Sequence, residues 1–193
     1  KHNKDIKIWF FADNVSDDNL NKLKRICSDN STDFEAVNVR LILDKLKEKG
    51  VNGYDNAIDK GLTTYARFFA SDFILDGSRA LYIDCDTLIL GSVDELFHIN
   101  MNGKAVAMAY DCFSNKYKRF IDFPEQDSYY NAGVMLIDTG RWDELKCTDR
   151  LFYHIQNVRN DYPLCDQDLI NIVLKEDIML MNMKPQAEDS DEL

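Results

Sequence analysis

At 193 residues, with 45% hydrophobic and 11% aromatic content, the chain is long enough to bury a sizeable core and too apolar to be disordered. Its 34 acidic against 23 basic side chains give a formal net charge of −11. That balance excludes nucleic acid or an anionic membrane surface as an unaided partner, because both reward clustered Lys and Arg.

No apolar run reaches the roughly 20 residues of a membrane span, and the opening KHNKDIKIWF carries no secretory or transit pattern. The five cysteines include no close pairs and read as reduced, buried thiols, which points to the cytoplasm.

In chain order, IKIWFFA (Ile6–Ala12) predicts a strand, and a helix follows with Ser16 as N-cap and Leu20, Leu23 and Ile26 at helical spacing. FEAVNV (Phe34–Val39) predicts a second strand, and LILDKLKEKG a short helix stopped by Gly50. TTYARFFASDFI predicts an amphipathic helix with Tyr65, Phe68, Phe69 and Phe73 on one face. The strands LYID, AVAMAY (Ala105–Tyr110) and AGVMLID (Ala132–Asp138) come next, then a helix from about Arg141 to Val158 and another in DQDLINIVLK. Near-continuous apolar strands suit a sheet covered on both faces. The expected class is α/β, a mostly parallel sheet flanked by helices, in one domain over 1–193 with a solvated acidic tail at 186–193.

LYIDCDTLIL interrupts an apolar run with Asp84 and Asp86. Carboxylates at i and i+2 on a strand point the same way, and both can turn towards one cation if the strand ends between them. Hard ions such as Mg²⁺ and Mn²⁺ take one or two carboxylates and complete their shell with phosphate and water. The same pair also suits an ordinary polar turn, or the nucleophile pair of a haloacid-dehalogenase-type phosphatase, although Leu88 stands where that family has Thr.

Three further stretches bear on the choice. LTTYARFFASDFI, YYNAGVMLIDTGRWDE and CDQDLINIVL, taken with LYIDCDTLILGSVDELF, resemble in order and approximate spacing the retaining glycosyltransferase family 8. The likeness is nearer to its bacterial lipopolysaccharide galactosyl- and glucosyltransferases than to glycogenin.

The resemblance implies a GT-A-type, Rossmann-like mixed sheet, and Mn²⁺ (or Mg²⁺) held by Asp84 and Asp86 against the diphosphate of UDP-glucose or UDP-galactose. It assigns donor-sugar contacts to Arg67, Asn131, Asp166 and Asp84, and an acceptor-side place to Asp111. Asp166 and Gln167 would flank the anomeric carbon, Gln167 either as a weak nucleophile or by stabilising an ion-pair-like transition state. Asp168 reads as a helix N-terminal acid complementing the dipole. Thr64 and Tyr65 read as helix start and core, Cys85 as packing, and His98 as a surface or helix-end residue. Without the resemblance, Arg67 would read as a helix-surface arginine paired with Asp72 or another acid.

IKIWFFADNVSDDN corresponds better to the second strand of the family's fold than to its first, although ADN (Ala12–Asn14) resembles the turn after the first strand, and MNMKPQAEDSDEL lacks the family's His-x-x-Gly-x-x-Lys-Pro-Trp segment. The chain is therefore expected to be a fragment or truncated domain, or else to have the gap in its sheet filled by a second copy, a partner chain or a rearrangement. The expected activity is metal-dependent, retaining transfer of glucose or galactose to a lipopolysaccharide or related glycan, in the cytoplasm or peripherally at the inner face of the membrane. The alternatives are a catalytically incomplete nucleotide-sugar-binding or interaction domain and, third, a metal-dependent phosphatase.

Overall fold

The computed structural model describes residues 6–48, 62–74, 77–113, 115–158 and 162–181. Gly50, Lys184, Pro185 and the acidic tail lie outside the described residues. Strand β1 (Lys7–Ala12) leads into helix α1 (Asp17–Asp29), whose N-cap is Ser16, its hydroxyl accepting from the Asn19 N–H. Strand β2 (Asp33–Asn38) pairs in parallel with β1, and helix α2 (Val39–Glu48) returns across them with Val39 and Ile42 buried.

The amphipathic segment predicted as an α-helix is instead a 3-10 helix, Leu62–Phe69, continued by one α-turn, α3 (Ala70–Phe73). In a 3-10 helix side chains at i and i+3 eclipse. This stacks Tyr65 on Phe68 in the core, with ring centroids 5.3 Å apart, and places Thr64 and Arg67 together on another face.

The main sheet has the order β3-β5-β4-β6, from β3 (Arg79–Ile83), β4 (Val106–Tyr110), β5 (Tyr130–Asp138) and β6 (Ile178–Leu180). Its mixed character is as expected, but parallel pairing accounts for two of the four ladders, β1–β2 and β4–β6. Strand β5 runs antiparallel to both β3 and β4. The three-residue β6 was not predicted, being too short to show a period.

Successive residues of β5 face opposite ways. Met135 and Ile137 enter a core shared with Phe68, Phe69, Trp142 and Phe152, while Leu136 packs with Ala107, Met101 and Met181 on the other face. A strand covered on both sides is why NAGVMLID is apolar nearly throughout.

Between β3 and β4 lies α4 (Asp94–Phe97), and α5 (Asn115–Lys118) follows β4. The single helix predicted over about Arg141–Val158 is two, α6 (Thr139–Glu144) and α7 (Cys147–Asn157). They are divided at Lys146, whose φ of 52° is left-handed and ends the first helix. Helix α8 (Cys165–Val173) follows, and a 3-10 turn, Lys175–Asp177, feeds β6.

Two cysteine expectations are corrected. Cys27 and Cys147 are buried and Cys165 is partly so, but Cys85 and Cys112 are exposed, each on a loop just beyond a strand. Cys85 is therefore no packing residue.

Candidate active site

Because β5 is antiparallel to its neighbours, its entrance lies at the same edge of the sheet as the exits of β3 and β4. Asp84 follows β3, Asp111 follows β4, and Asn131 stands at the start of β5, so all three come to one edge. The N-terminal turn of α8 brings Asp166 and Gln167 to it. Ligands of open α/β sheets bind beyond strand ends of this kind.

A local irregularity shapes the edge. Met108 opposes Met135, but Ala109 opposes Asn131, so Ala132–Val134 bulge out of the β4 ladder. Bulges redirect backbone and side chains beside functional sites. This one exposes the polar atoms of Ala132 and Gly133 to the residues around them. The Ala132 carbonyl accepts from the Arg67 guanidinium at 2.5 Å, and its N–H donates to Gln167 Oε1 at 2.9 Å. The Gly133 carbonyl accepts from the Asp84 N–H at 2.8 Å, and its N–H donates to Asn131 Oδ1 at 2.9 Å. A Cβ built on Gly133 would lie 3.0 Å from both Asn131 Oδ1 and Asp84 Oδ2, so a side chain here would crowd the carboxylate.

Arg67 is the organising cation. Only 4% exposed, it donates to the Thr64 carbonyl (2.9 Å) and to Asp84 Oδ1 (3.1 Å), and its Nε lies 3.1 Å from Asp166 Oδ2. It does not pair with Asp72 as a surface arginine would. Its guanidinium also lies 4.3 Å above the Tyr82 ring, whose hydroxyl donates to the same Asp84 Oδ1 at 2.7 Å. Burial raises the Tyr82 hydroxyl's pKa, and its bond to Asp84 adds to the rise. Burial likewise pushes the Asp166 carboxyl above its ordinary range, against the pull of Arg67 and of the Thr64 hydroxyl bonded to it.

On the β4 side of the edge, Gln167 Nε2 donates to Asp111 Oδ2 at 3.0 Å, while Asp111 Oδ1 accepts from the Phe113 N–H at 2.9 Å. Asp168, expected to be a dipole-complementing acid, does lie in the first turn of α8, but it is fully buried. It accepts from the Leu164 N–H at 2.8 Å and from the Tyr129 hydroxyl, whose pKa burial and this bond raise.

Asp86 sits in the exposed turn after Asp84, which is closed by the Thr87 N–H on the Asp84 carbonyl at 3.1 Å. Among the described residues no third His, Cys, Asp or Glu gathers with this pair in a metal-ligating group. His98 is an exposed cap of α4 and His154 stacks on Tyr162, neither near a carboxylate cluster of that kind.

The predicted residues thus form two linked groups, Arg67–Asp84–Asp166 and Gln167–Asp111, joined through the backbone of Ala132. Reading the sequence missed Thr64, Tyr82 and Tyr129, each of which holds a site side chain. A signal existed for two of them: Tyr82 is at i−2 from Asp84 on a strand, and Thr64 is at i−3 from Arg67.

Comparison with known proteins gives the family and the fold. The family model for glycosyl transferase family 8 matches residues 1–184. A putative glycosyltransferase of Haemophilus influenzae is 31% identical over 140 residues, covering 70% of this chain and 42% of that protein. The lipopolysaccharide 1,2-glucosyltransferase of Escherichia coli is 31% identical over 115 residues, 58% of this chain and 34% of the relative. The chain therefore spans well under two-thirds of the length of these curated relatives. Among solved structures, a galactosyltransferase crystallised with donor and acceptor sugar analogues superposes with a TM-score of 0.73 at 22% identity, over 93% of this chain and 63% of that one. A bifunctional glycosyltransferase gives 0.75 at 17% identity, over 93% and 34%. With the fold of these GT-A glycosyltransferases and a family match along nearly its whole length, this chain belongs to glycosyl transferase family 8.

Proposed function

We propose that the site transfers glucose or galactose from a UDP-sugar, with retention of configuration, to a lipopolysaccharide or related glycan acceptor. One observation carries this reading: Arg67 binds Asp84 and Asp166 at once, beside the Ala132–Gly133 backbone exposed by the β5 bulge. The result is an oxygen-rich edge suited to sugar hydroxyls. The lipopolysaccharide glucosyltransferase and the galactosyltransferase among its likenesses support the choice of hexoses and acceptor.

The donor set fits a divalent cation. Asp84 and Asp86 bring two carboxylates to an edge that also carries Asp111 and Asp166, and a diphosphate approaching them unaided would be repelled. Two carboxylates without a closed protein cage suit Mg²⁺ or Mn²⁺, whose remaining ligands are water and substrate phosphate. Asp84 and Asp86 would hold the ion, with Asp84 presenting Oδ2, since Arg67 and Tyr82 occupy Oδ1. When bound, the cation neutralises charge developing on the departing diphosphate.

The protein's own residues do the rest. Asp84, Asn131 and Asp166 hold donor hydroxyls, and Arg67 orients the two carboxylates it pairs with. Asp111 faces the acceptor. Because a diphosphate leaves without needing a proton, no second carboxyl of the retaining-glycosidase kind is required. The acceptor hydroxyl approaches the face the diphosphate leaves and gives its proton to a departing phosphate oxygen.

Incubation with UDP-glucose or UDP-galactose and Mn²⁺, with water as the fallback acceptor, tests the reading by proton NMR of the first sugar released. The α-anomer is expected. First release of the β-anomer would overturn retention, and absence of turnover with both donors would overturn the transferase reading for this chain.

A further inference from the structure

A buried pair outside the sugar-facing residues sets which end of the Gln167 amide faces the site. Tyr129 and Asp168 are both fully buried, and the Tyr129 hydroxyl gives its one proton to Asp168 Oδ1. The phenol oxygen then has only lone pairs left to offer. It accepts from Gln167 Nε2 at 3.4 Å, and the same nitrogen donates to Asp111 Oδ2 at 3.0 Å. At the other end, Gln167 Oε1 accepts from the Ala132 N–H at 2.9 Å. Turning the amide over would set NH₂ against an N–H donor and oxygen against both a carboxylate and a phenol oxygen whose proton is committed. The network therefore permits one orientation.

We propose that Asp168 and Tyr129 are positioning residues that lock Gln167 with its NH₂ towards Asp111 and its oxygen on the bulged backbone. Resting on the transferase reading, this means that Gln167 presents N–H donors to the reacting groups and that its oxygen is no nucleophile. It also means that the acceptor-side carboxylate of Asp111 is aimed from the core of the protein, through Gln167, by a carboxylate no substrate touches. The second fixing point is the Phe113 N–H on Asp111 Oδ1, so that both Asp111 oxygens are oriented before an acceptor arrives.

Two measurements test this. In the unmutated chain, NOEs from the Gln167 side-chain NH₂ protons to the Tyr129 ring are expected. NOEs to the Ala132 amide region alone, as a reversed amide would give, overturn the proposal. This arm needs no turnover, so it stands if the transferase reading fails.

The second measurement is Tyr129→Phe, which removes only the hydroxyl. With UDP-glucose or UDP-galactose and Mn²⁺, kcat is expected to fall about tenfold, the scale of one lost hydrogen bond in a site, while the donor KM changes by less than about twofold and the Gln167 amide resonances shift or broaden. An unchanged kcat with unmoved amide resonances overturns the proposal, as does an equal rise in KM with kcat intact. Should Tyr129→Phe not fold, Asp168→Asn is read in the same way. The NH₂ it introduces must face either the Leu164 N–H or the Tyr129 hydroxyl, both of which donate to Asp168, so the hold on Gln167 loosens and kcat is expected to fall by a similar factor. An unchanged kcat in Asp168→Asn with unmoved amide resonances overturns the proposal.

Discussion

Replacing Arg67 by Met is the most revealing single change, because one buried guanidinium pairs with both Asp84 and Asp166. Arg67 is 5% exposed at its side chain and Asp166 is 9% exposed, while Asp84 stands at 36%. Met fills a similar length and satisfies none of the acceptors that Arg67 reaches on Thr64, Asp84, Ala132 and Asp166. Removing one partner of a buried ion pair typically costs about 3–5 kcal/mol, because the remaining charge is left uncompensated. At about 2–4 °C per kcal/mol for a domain of this size, the melting temperature should fall by about 6–20 °C.

The pH dependence identifies the cause. Burial already raises the Asp166 carboxyl above its usual range, and Arg67 is the principal influence opposing that rise. A raised folded-state pKa means stability is lost as pH climbs through it. Without Arg67 the pKa rises further, so the deficit of the variant should be full near pH 8 and shrink on acidification as Asp166 takes up its proton.

Arg79→Met is the control. Arg79 donates to the Phe97 and Ile99 carbonyls, and its loss should cost stability without that pH dependence. Urea unfolding of all three proteins at pH 8 and pH 5 makes the comparison. A deficit under about 1 kcal/mol in Arg67→Met, or one that is constant with pH, would refute the reasoning.

Three other outcomes follow from single contacts. Gly133→Ala should fold but lose UDP affinity in Mn²⁺ by on the order of tenfold, because the new Cβ crowds Asp84 Oδ2 while Tyr82 and Arg67 hold Oδ1 in place; calorimetric titration checks it. A thiol reagent should label Cys85 and Cys112 in the folded protein, with Cys85 labelling blocking UDP, whereas Cys147, buried and with its thiol pushed up to about 12, should react only on unfolding. Burial lowers the His154 pKa, so the unfolded chain takes up the proton first and stability should fall as pH drops below about 6.5; in His154→Phe, denaturation between pH 7.5 and 5.5 should lose that component of the slope.

Much of the site was legible because its residues are polar interruptions of apolar strands. Asp84 and Asp111 mark the exits of β3 and β4, and Asn131 marks the entrance of β5. What the pattern did not carry was direction: a strand's apolar run looks the same whether it runs parallel or antiparallel, so the reversal of β5 that brings Asn131 to the same edge was invisible. The bulge at Ala132–Val134 was equally hidden, since Ala-Gly-Val continues the apolar run without a break. Tyr82, Tyr129 and Asp168 were passed over for a related reason. Each reads locally as strand, loop or helix-start chemistry, and only tertiary contact reveals that their polar atoms orient Asp84 and Gln167. The helix over Arg141–Val158 was over-extended because the left-handed residue that divides it is a lysine, with none of the glycine or asparagine that usually marks such a break.

The central claim, that Asp84 and Asp86 form the diphosphate end of a sugar-nucleotide site, is tested most directly by titrating UDP into the protein with and without Mn²⁺ and repeating both with Asp86→Asn. The account predicts UDP binding that Mn²⁺ strengthens by about tenfold or more in the unmutated chain, an effect worth roughly 1.4 kcal/mol, and that Asp86→Asn abolishes the gain. UDP binding that ignores both the metal and the substitution, or no UDP binding under either condition, would contradict it.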